Sequence, residues 1–241
     1  ELVRLRPVDA AMIARRKRSD HRVPRAGGGQ RLCHLPGGGN TLSRPLIYLS
    51  RAALGRSGAP YGQYMLTQAI AGEVPAKLQI YLAAWALTPD QPAELRANRA
   101  PGVTRVWCYA PGYLLPGGAN VEAMRELTGF TCRPVAPETA TATPTPAGIA
   151  LGLTESWGPE AAISPLFAAE ATPAETLATY ADDSCALAVR RSGDETDVFL
   201  GVPELTPELV RVLARLAGVH LFTEVDAAVW AADPYLSIHA M

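Results

Sequence analysis

Val103-Thr104-Arg105-Val106-Trp107-Cys108-Tyr109, running into Ala110-Pro111-Gly112, is the stretch that decides the fold. Its apolar positions are β-branched or aromatic and do not alternate cleanly with polar ones, which is how a strand covered on both faces reads. Leu78 to Ala84 has the same character. Between them Thr88 is placed to cap a helix over Pro89–Asn98, with Pro89 in its first turn. Strands alternating with helices in this way predict an α/β layered fold with a mainly parallel sheet.

Working outward, Leu46, Ile47, Leu49, Ala53 and Leu54 recur at helical spacing and Gly55 supplies a stop. Tyr61 to Leu66 reads as a strand. Asn120 caps a helix through Leu127 that Gly129 closes, and Thr206 caps a helix with Leu209, Val210, Val212, Leu213 and Leu216 on one stripe. Gly148–Leu153, Cys185–Arg191, Thr196–Val202, Val219–Phe222, Ala227–Ala231 and Tyr235–Ile238 read as strands. Ser192-Gly193-Asp194-Glu195 is a hairpin turn between two of them. Pro134–Pro146 reads as a surface loop.

Charge divides the chain. Of its 241 residues, the first 60 hold 12 Lys/Arg against 3 Asp/Glu, and the remaining 181 hold 10 against 20. Glu1–Arg6 could form a short strand. Ala11–Asn40, rich in Arg, Gly and Pro, is expected to be irregular. Residues 1–43 are therefore read as an irregular basic segment and 44–241 as the α/β domain. The basic stretch contains no aromatic residue to stack on a base and precedes an acidic body, so no nucleic-acid partner is expected. The run Ile80–Leu87 is the longest strongly apolar one, far short of the roughly 20 residues that span a bilayer. No signal-peptide pattern opens the chain. Cys33, Cys108, Cys132 and Cys185 stand at no metal-ligand spacing and read as reduced thiols, which points to the cytoplasm. The first residue is Glu1, and the chain stops at Met241 just after a strand-like run. Both ends are read as cut.

Catalytic motifs are scarce. No phosphate-binding loop surrounds Lys17 or Lys77, and no dinucleotide fingerprint joins a strand to a helix. His21, His34, His220 and His239 lack the i, i+4 spacing of a helical zinc site. No cofactor and no metal are expected. Cys108 sits near the carboxyl end of a buried strand, where α/β sheets place their sites, and could act as a nucleophile if paired with a histidine. Val106 and Pro111 argue against the tight turn such a nucleophile needs. Glu155, Glu160, Glu170 and the pair Asp182-Asp183 read as solvated surface charge. If the chain binds sugar, Trp107, Tyr109, Tyr113 and Trp157 are the aromatics to line a cleft or interface.

Several stretches, in order, carry a resemblance: Arg56-Ser57-Gly58-Ala59-Pro60-Tyr61, Trp85-Ala86-Leu87-Thr88, Val106 to Tyr113, Glu126-Leu127-Thr128-Gly129-Phe130, Phe199-Leu200-Gly201-Val202-Pro203, Ala217 to Leu221 and Tyr235 to Ala240. Together they resemble the glutamine-amidotransferase-like, trimerisation-type domain of family 42 β-galactosidases and of related glycoside-hydrolase-like bacterial proteins, over about residues 44–240. The resemblance implies a flavodoxin-like three-layer domain without amidotransferase catalysis. It also implies an accessory role in oligomerisation and in shaping the rim of a neighbouring active site. A homo-oligomer and a covalently preceding TIM barrel are the partners it implies, with carbohydrate as the class of ligand. The catalytic carboxylates of such proteins lie in the barrel, so the expectation is a non-catalytic domain. The alternatives are a cysteine hydrolase using Cys108 and a carbohydrate-binding module.

Overall fold

The computed structural model describes residues 10–14, 41–232 and 235–240. The expected strand at Glu1–Arg6, together with His21, His34 and Cys33, lies outside them. The strands are β1 (Ala10–Ala14), β2 (Tyr61–Met65), β3 (Leu78–Tyr81), β4 (Thr104–Cys108), β5 (Leu114–Leu115), β6 (Gly118–Ala119), β7 (Cys132–Val135), β8 (Thr143–Pro144), β9 (Leu166–Ala169), β10 (Thr176–Thr179), β11 (Cys185–Ser192), β12 (Glu195–Leu200), β13 (Ala227–Ala232) and β14 (Tyr235–Ala240). A π-helical turn at Arg44–Leu49 runs into α1 (Ser50–Gly55), followed by α2 (Leu66–Ile70), α3 (Gln91–Ala97), α4 (Val121–Thr128), α5 (Pro146–Ala150) and α6 (Pro207–Leu216).

One large sheet, in the order β2-β1-β3-β4-β12-β11-β10-β8, carries the fold. Its β2, β1, β3, β4 and β12 are parallel to their neighbours. From β12 onward the ladders to β11, β10 and β8 are antiparallel. The sheet is thus mixed, and the expectation of a mainly parallel one is corrected. The physical reason is the turn at Gly193, where φ is +57°. A hairpin that short can only return the chain antiparallel to itself.

Strand β1 corrects a second expectation. Ala10-Ala11-Met12-Ile13-Ala14 falls mostly within the stretch read as irregular, yet it pairs with β2 on one side and β3 on the other. A short unbroken apolar run is what such a doubly flanked position requires. Gly148–Leu153 reads as a strand in the sequence but does not form one. Thr145 instead accepts a hydrogen bond from the Gly148 N–H and starts α5 with Pro146 in its first turn. Val219–Phe222 is likewise irregular, and α3 begins after Asp90 rather than Thr88. Within the expected loop at Pro134–Pro146, Ala140 and Ala142 are fully buried.

Local signals elsewhere do what the chemistry asks. The Asn120 side chain accepts from the Glu122 N–H, and Gly129, at φ +77°, ends α4 in the left-handed region. The Thr206 hydroxyl accepts from the Leu209 N–H at 3.1 Å and opens α6.

The core lies on both faces of the sheet. One cluster joins Leu78, Ile80, Val106 and Cys108 to Leu46 and Leu54 and to Leu209, Val212 and Leu213 of α6. The other joins Tyr81 and Trp107 to Leu66, Leu95 and Leu127 from α2, α3 and α4. Alternation along β3 and β4 sends successive side chains into opposite clusters, as the period of two demands. At the far edge of the sheet Arg190 donates to Glu175 at 2.8 Å and covers the Phe130 ring, and that guanidinium holds the Glu175 carboxyl down at about 2. Among the described residues no helix is long and apolar enough to cross a membrane.

Candidate functional site

Parallel sheets bind ligands outside the carboxyl ends of their strands, because the connecting loops open there. Among the described residues that edge carries the segments after β2, β3, β4 and β12, while the segment that follows β1 lies outside them. At β3 and β4 it is filled with aromatic rings.

Tyr109, the residue after β4, has φ +66° and is fully buried. A left-handed conformation is uncommon for a bulky residue and costs on the order of 1–3 kcal/mol, so surrounding contacts must hold it. They do so from three sides. The Tyr109 N–H donates to the Leu200 carbonyl at 2.7 Å, and its hydroxyl donates to the Pro165 carbonyl at 2.5 Å. Its ring meets Trp85 and Phe167 edge to face at 6.0 and 6.2 Å. Tyr113 closes the other side of Phe167 at 4.8 Å. The loops after β3 and β4 are stitched together by Gly112 N–H to Ala84 O, Leu114 N–H to Trp85 O and Leu87 N–H to Leu114 O.

A strained turn at the end of a parallel strand is where an α/β enzyme lifts its nucleophile into solvent. Here that conformation belongs to Tyr109, one residue beyond Cys108. Cys108 itself still lies on the strand, points into the core and is fully buried. Burial pushes its thiol far up, away from the thiolate a nucleophile needs. Of the described histidines, His220 is exposed and packs on Phe222, and His239 is exposed on β14. Cys132 and Cys185 are buried as well, and burial raises both thiols, Cys132 to about 12.

Of the four aromatics singled out from the sequence, Trp107, Tyr109 and Trp157 are packed in the core. Trp107 is fully buried, stacks on Tyr81 at 4.3 Å and donates to Asp197 at 2.9 Å. Tyr109 and Trp157 are buried and Tyr113 is half-buried. Trp107 and Tyr109 do come close in sequence, but they enter opposite sides of the sheet and share no cleft. Beside Trp107 the second core cluster holds a polar knot. Arg99 donates to Asp197 at 2.7 Å and to the carbonyls of Val103 and Thr196, while Tyr81 donates to Gln79 at 2.8 Å. Desolvation lifts the Tyr81 phenol to about 12. The knot is closed to solvent but not complete, since among the described residues Nε of Arg99 and Nε of the neighbouring buried Arg105 find no hydrogen-bond partner.

The carboxylates Glu155, Glu160, Glu170, Asp182 and Asp183 are all exposed. Among the described residues no group of three or more His, Cys, Asp or Glu is placed to hold a metal ion. What the sequence reading missed is a groove of about 620 Å³ between α1, the start of β2 and the hairpin β13–β14, flanked by Trp230, Tyr235 and Tyr61. At its end Arg56 grips Asp226 through two hydrogen bonds, one of them 2.7 Å. The strand-like run Ala227–Ala231 was legible, but its period of two cannot say which face the body covers.

No protein-family profile and no curated protein matches this chain. Solved structures do. A cold-adapted β-galactosidase from Rahnella sp. R3 superposes with TM-score 0.63 at 16% identity, over 94% of this chain and 34% of its own. A catalytic variant of a GH42 β-galactosidase from G. stearothermophilus gives 0.61 at 15%, over 98% and 33%. The β-galactosidase of Bacillus circulans sp. alkalophilus gives 0.57 at 15%, over 80% and 31%. At such identity the likeness is one of fold. The chain spans about a third of the length of these proteins.

Proposed function

We propose that this chain is a non-catalytic accessory domain of a glycoside-hydrolase-like protein, serving assembly and the support of a neighbouring catalytic barrel. The observation that carries the reading is the carboxyl edge filled at β3 and β4. The strained position after β4 holds a buried tyrosine, and the nearest thiol is locked in the core. Glycoside hydrolysis needs two facing carboxylates with room for a sugar between them. The candidate acidic residues of this chain stand apart in solvent.

The order β2-β1-β3-β4-β12 of the parallel strands supports a flavodoxin-like, amidotransferase-related ancestry, since it is the 2-1-3-4-5 order of that architecture. The fold likeness to one third of several β-galactosidases supports a place beside a barrel. In this reading the partners are that barrel and further copies of the chain. The rival, a cysteine hydrolase, draws no support from Cys108. The DNA preceding the coding sequence tests the proposal: it is expected to encode a TIM barrel in the same protein, and an upstream frame without one rejects it.

A further inference from the structure

The hairpin β13–β14 sorts its side chains by the alternation of its ladder. Trp230 pairs with Ser237 and Val229 with Ile238, so Trp230, Ser237 and Tyr235 share one face while Val229 and Ile238 share the other. Val229 is buried, whereas Trp230 and Tyr235 are 63% and 77% exposed. Trp230, Ser237 and Tyr235 all line the groove of about 620 Å³, whose other wall is α1 and Tyr61 at the start of β2. That volume falls within the roughly 300–1,000 Å³ of small-molecule sites. Arg56 also lines the groove and holds Asp226 through Nε and one Nη. Its second Nη makes no hydrogen bond among the described residues. Each Asp226 oxygen keeps acceptor capacity beyond the one N–H it takes from Arg56. Both side chains are open to solvent, at 44% and 37% exposure.

We infer that this groove binds a neutral sugar, with the C–H face of one pyranose on Trp230, Tyr235 alongside it, and ring hydroxyls bridging Arg56 and Asp226. Three properties of the groove favour that ligand. A flat aromatic ring has few rotatable bonds to immobilise and offers an apolar face to the C–H side of a pyranose. A hydroxyl both donates and accepts, so neighbouring hydroxyls donate to the carboxylate and accept from the guanidinium without parting them. A charged ligand would instead compete for one member of a bidentate pair. The surrounding body also disfavours anions, since residues 61–241 hold 20 Asp/Glu against 10 Lys/Arg. The inference goes beyond the accessory role proposed above and does not depend on it, because a neighbouring barrel does not decide what this groove holds.

Saturation-transfer NMR on the 241-residue chain, with lactose, cellobiose and maltose each raised to 50 mM, tests the inference. The expected result is saturable binding of at least one disaccharide, with the strongest transfer to its ring C–H protons. Trp230→Ala and Asp226→Asn are each expected to weaken that binding at least 10-fold with far-UV circular dichroism unchanged. Ile238→Ser, on the opposite face of the hairpin, is expected to leave it within 2-fold. No binding of any of the three at 50 mM overturns the inference. Binding that survives both Trp230→Ala and Asp226→Asn, or that Ile238→Ser weakens equally, overturns it too by placing the sugar elsewhere. An upstream frame without a barrel would reject the accessory role and leave this result unchanged.

Discussion

Trp107→Ala is expected to lower the unfolding free energy by about 3–5 kcal/mol, the cost of emptying a large aromatic site in a closed core. Trp107 has no exposed surface, and its ring is one of a stacked pair with Tyr81. The vacated space lies between the sheet and α2, α3 and α4, whose Leu66, Leu95 and Leu127 belong to the same cluster. Elements fixed on a sheet relax only partly, so a cavity remains. The substitution also takes a donor from Asp197. Trp107→Phe keeps the stacked ring and loses the N–H, and should cost about 1–2 kcal/mol. Urea unfolding followed by circular dichroism measures both. A domain of ordinary stability has about 5–15 kcal/mol in all, so the alanine variant falls near the limit of folding. A change below 1 kcal/mol would return Trp107 to the role of an open cleft residue.

Arg99→Ala should be nearly as severe, at about 3–5 kcal/mol, because it strands the acidic partner of a buried ion pair. The Arg99 side chain is 7% exposed and ties the segment from Arg99 to Val103 to β12, distant in sequence. One Nη reaches Asp197 on β12, and the other reaches the carbonyls of Val103, just before β4, and Thr196. Lysine has the charge but not the planar fork, so Arg99→Lys cannot meet all three acceptors and should recover only part of the loss. Arg125 provides the contrast. It faces Glu122 at 3.9 Å with both side chains largely exposed, and Arg125→Ala should change stability by about 1 kcal/mol or less. Trp107 and Arg99 share Asp197, so their effects should not add. The double variant measures the coupling directly.

Much of the scaffold is legible in the sequence because its signals are local. The caps at Asn120 and Thr206, the stop at Gly129 and the hairpin turn at Gly193 each act within a few residues of themselves. The buried strands β3 and β4 declare themselves by composition. Strand β1 is harder, since five apolar residues between charged flanks suit a strand only once two neighbours are there to pair with it. The segment at Gly148 went the other way for a related reason: a short apolar run fits helix or strand, and the decision came from the Thr145 cap and a close approach to the Leu177 carbonyl.

The site was less legible still. Cys108 was rightly placed at the end of a strand, but whether a side chain there meets solvent or core depends on one step of register. The strain that marks the turn falls on Tyr109, and no residue type announces a positive φ in a tyrosine. Which face of β13 stays bare is decided by α1 and β2, far away in sequence.

The carboxyl end of β4 is closed to solvent, and alkylation of Cys108 tests that most directly. With iodoacetamide at pH 8, peptide mass analysis should find Cys108 unmodified in the native protein after hours and fully modified once urea unfolds it. Rapid, stoichiometric labelling of Cys108 in the native protein would contradict the account and restore a thiol enzyme.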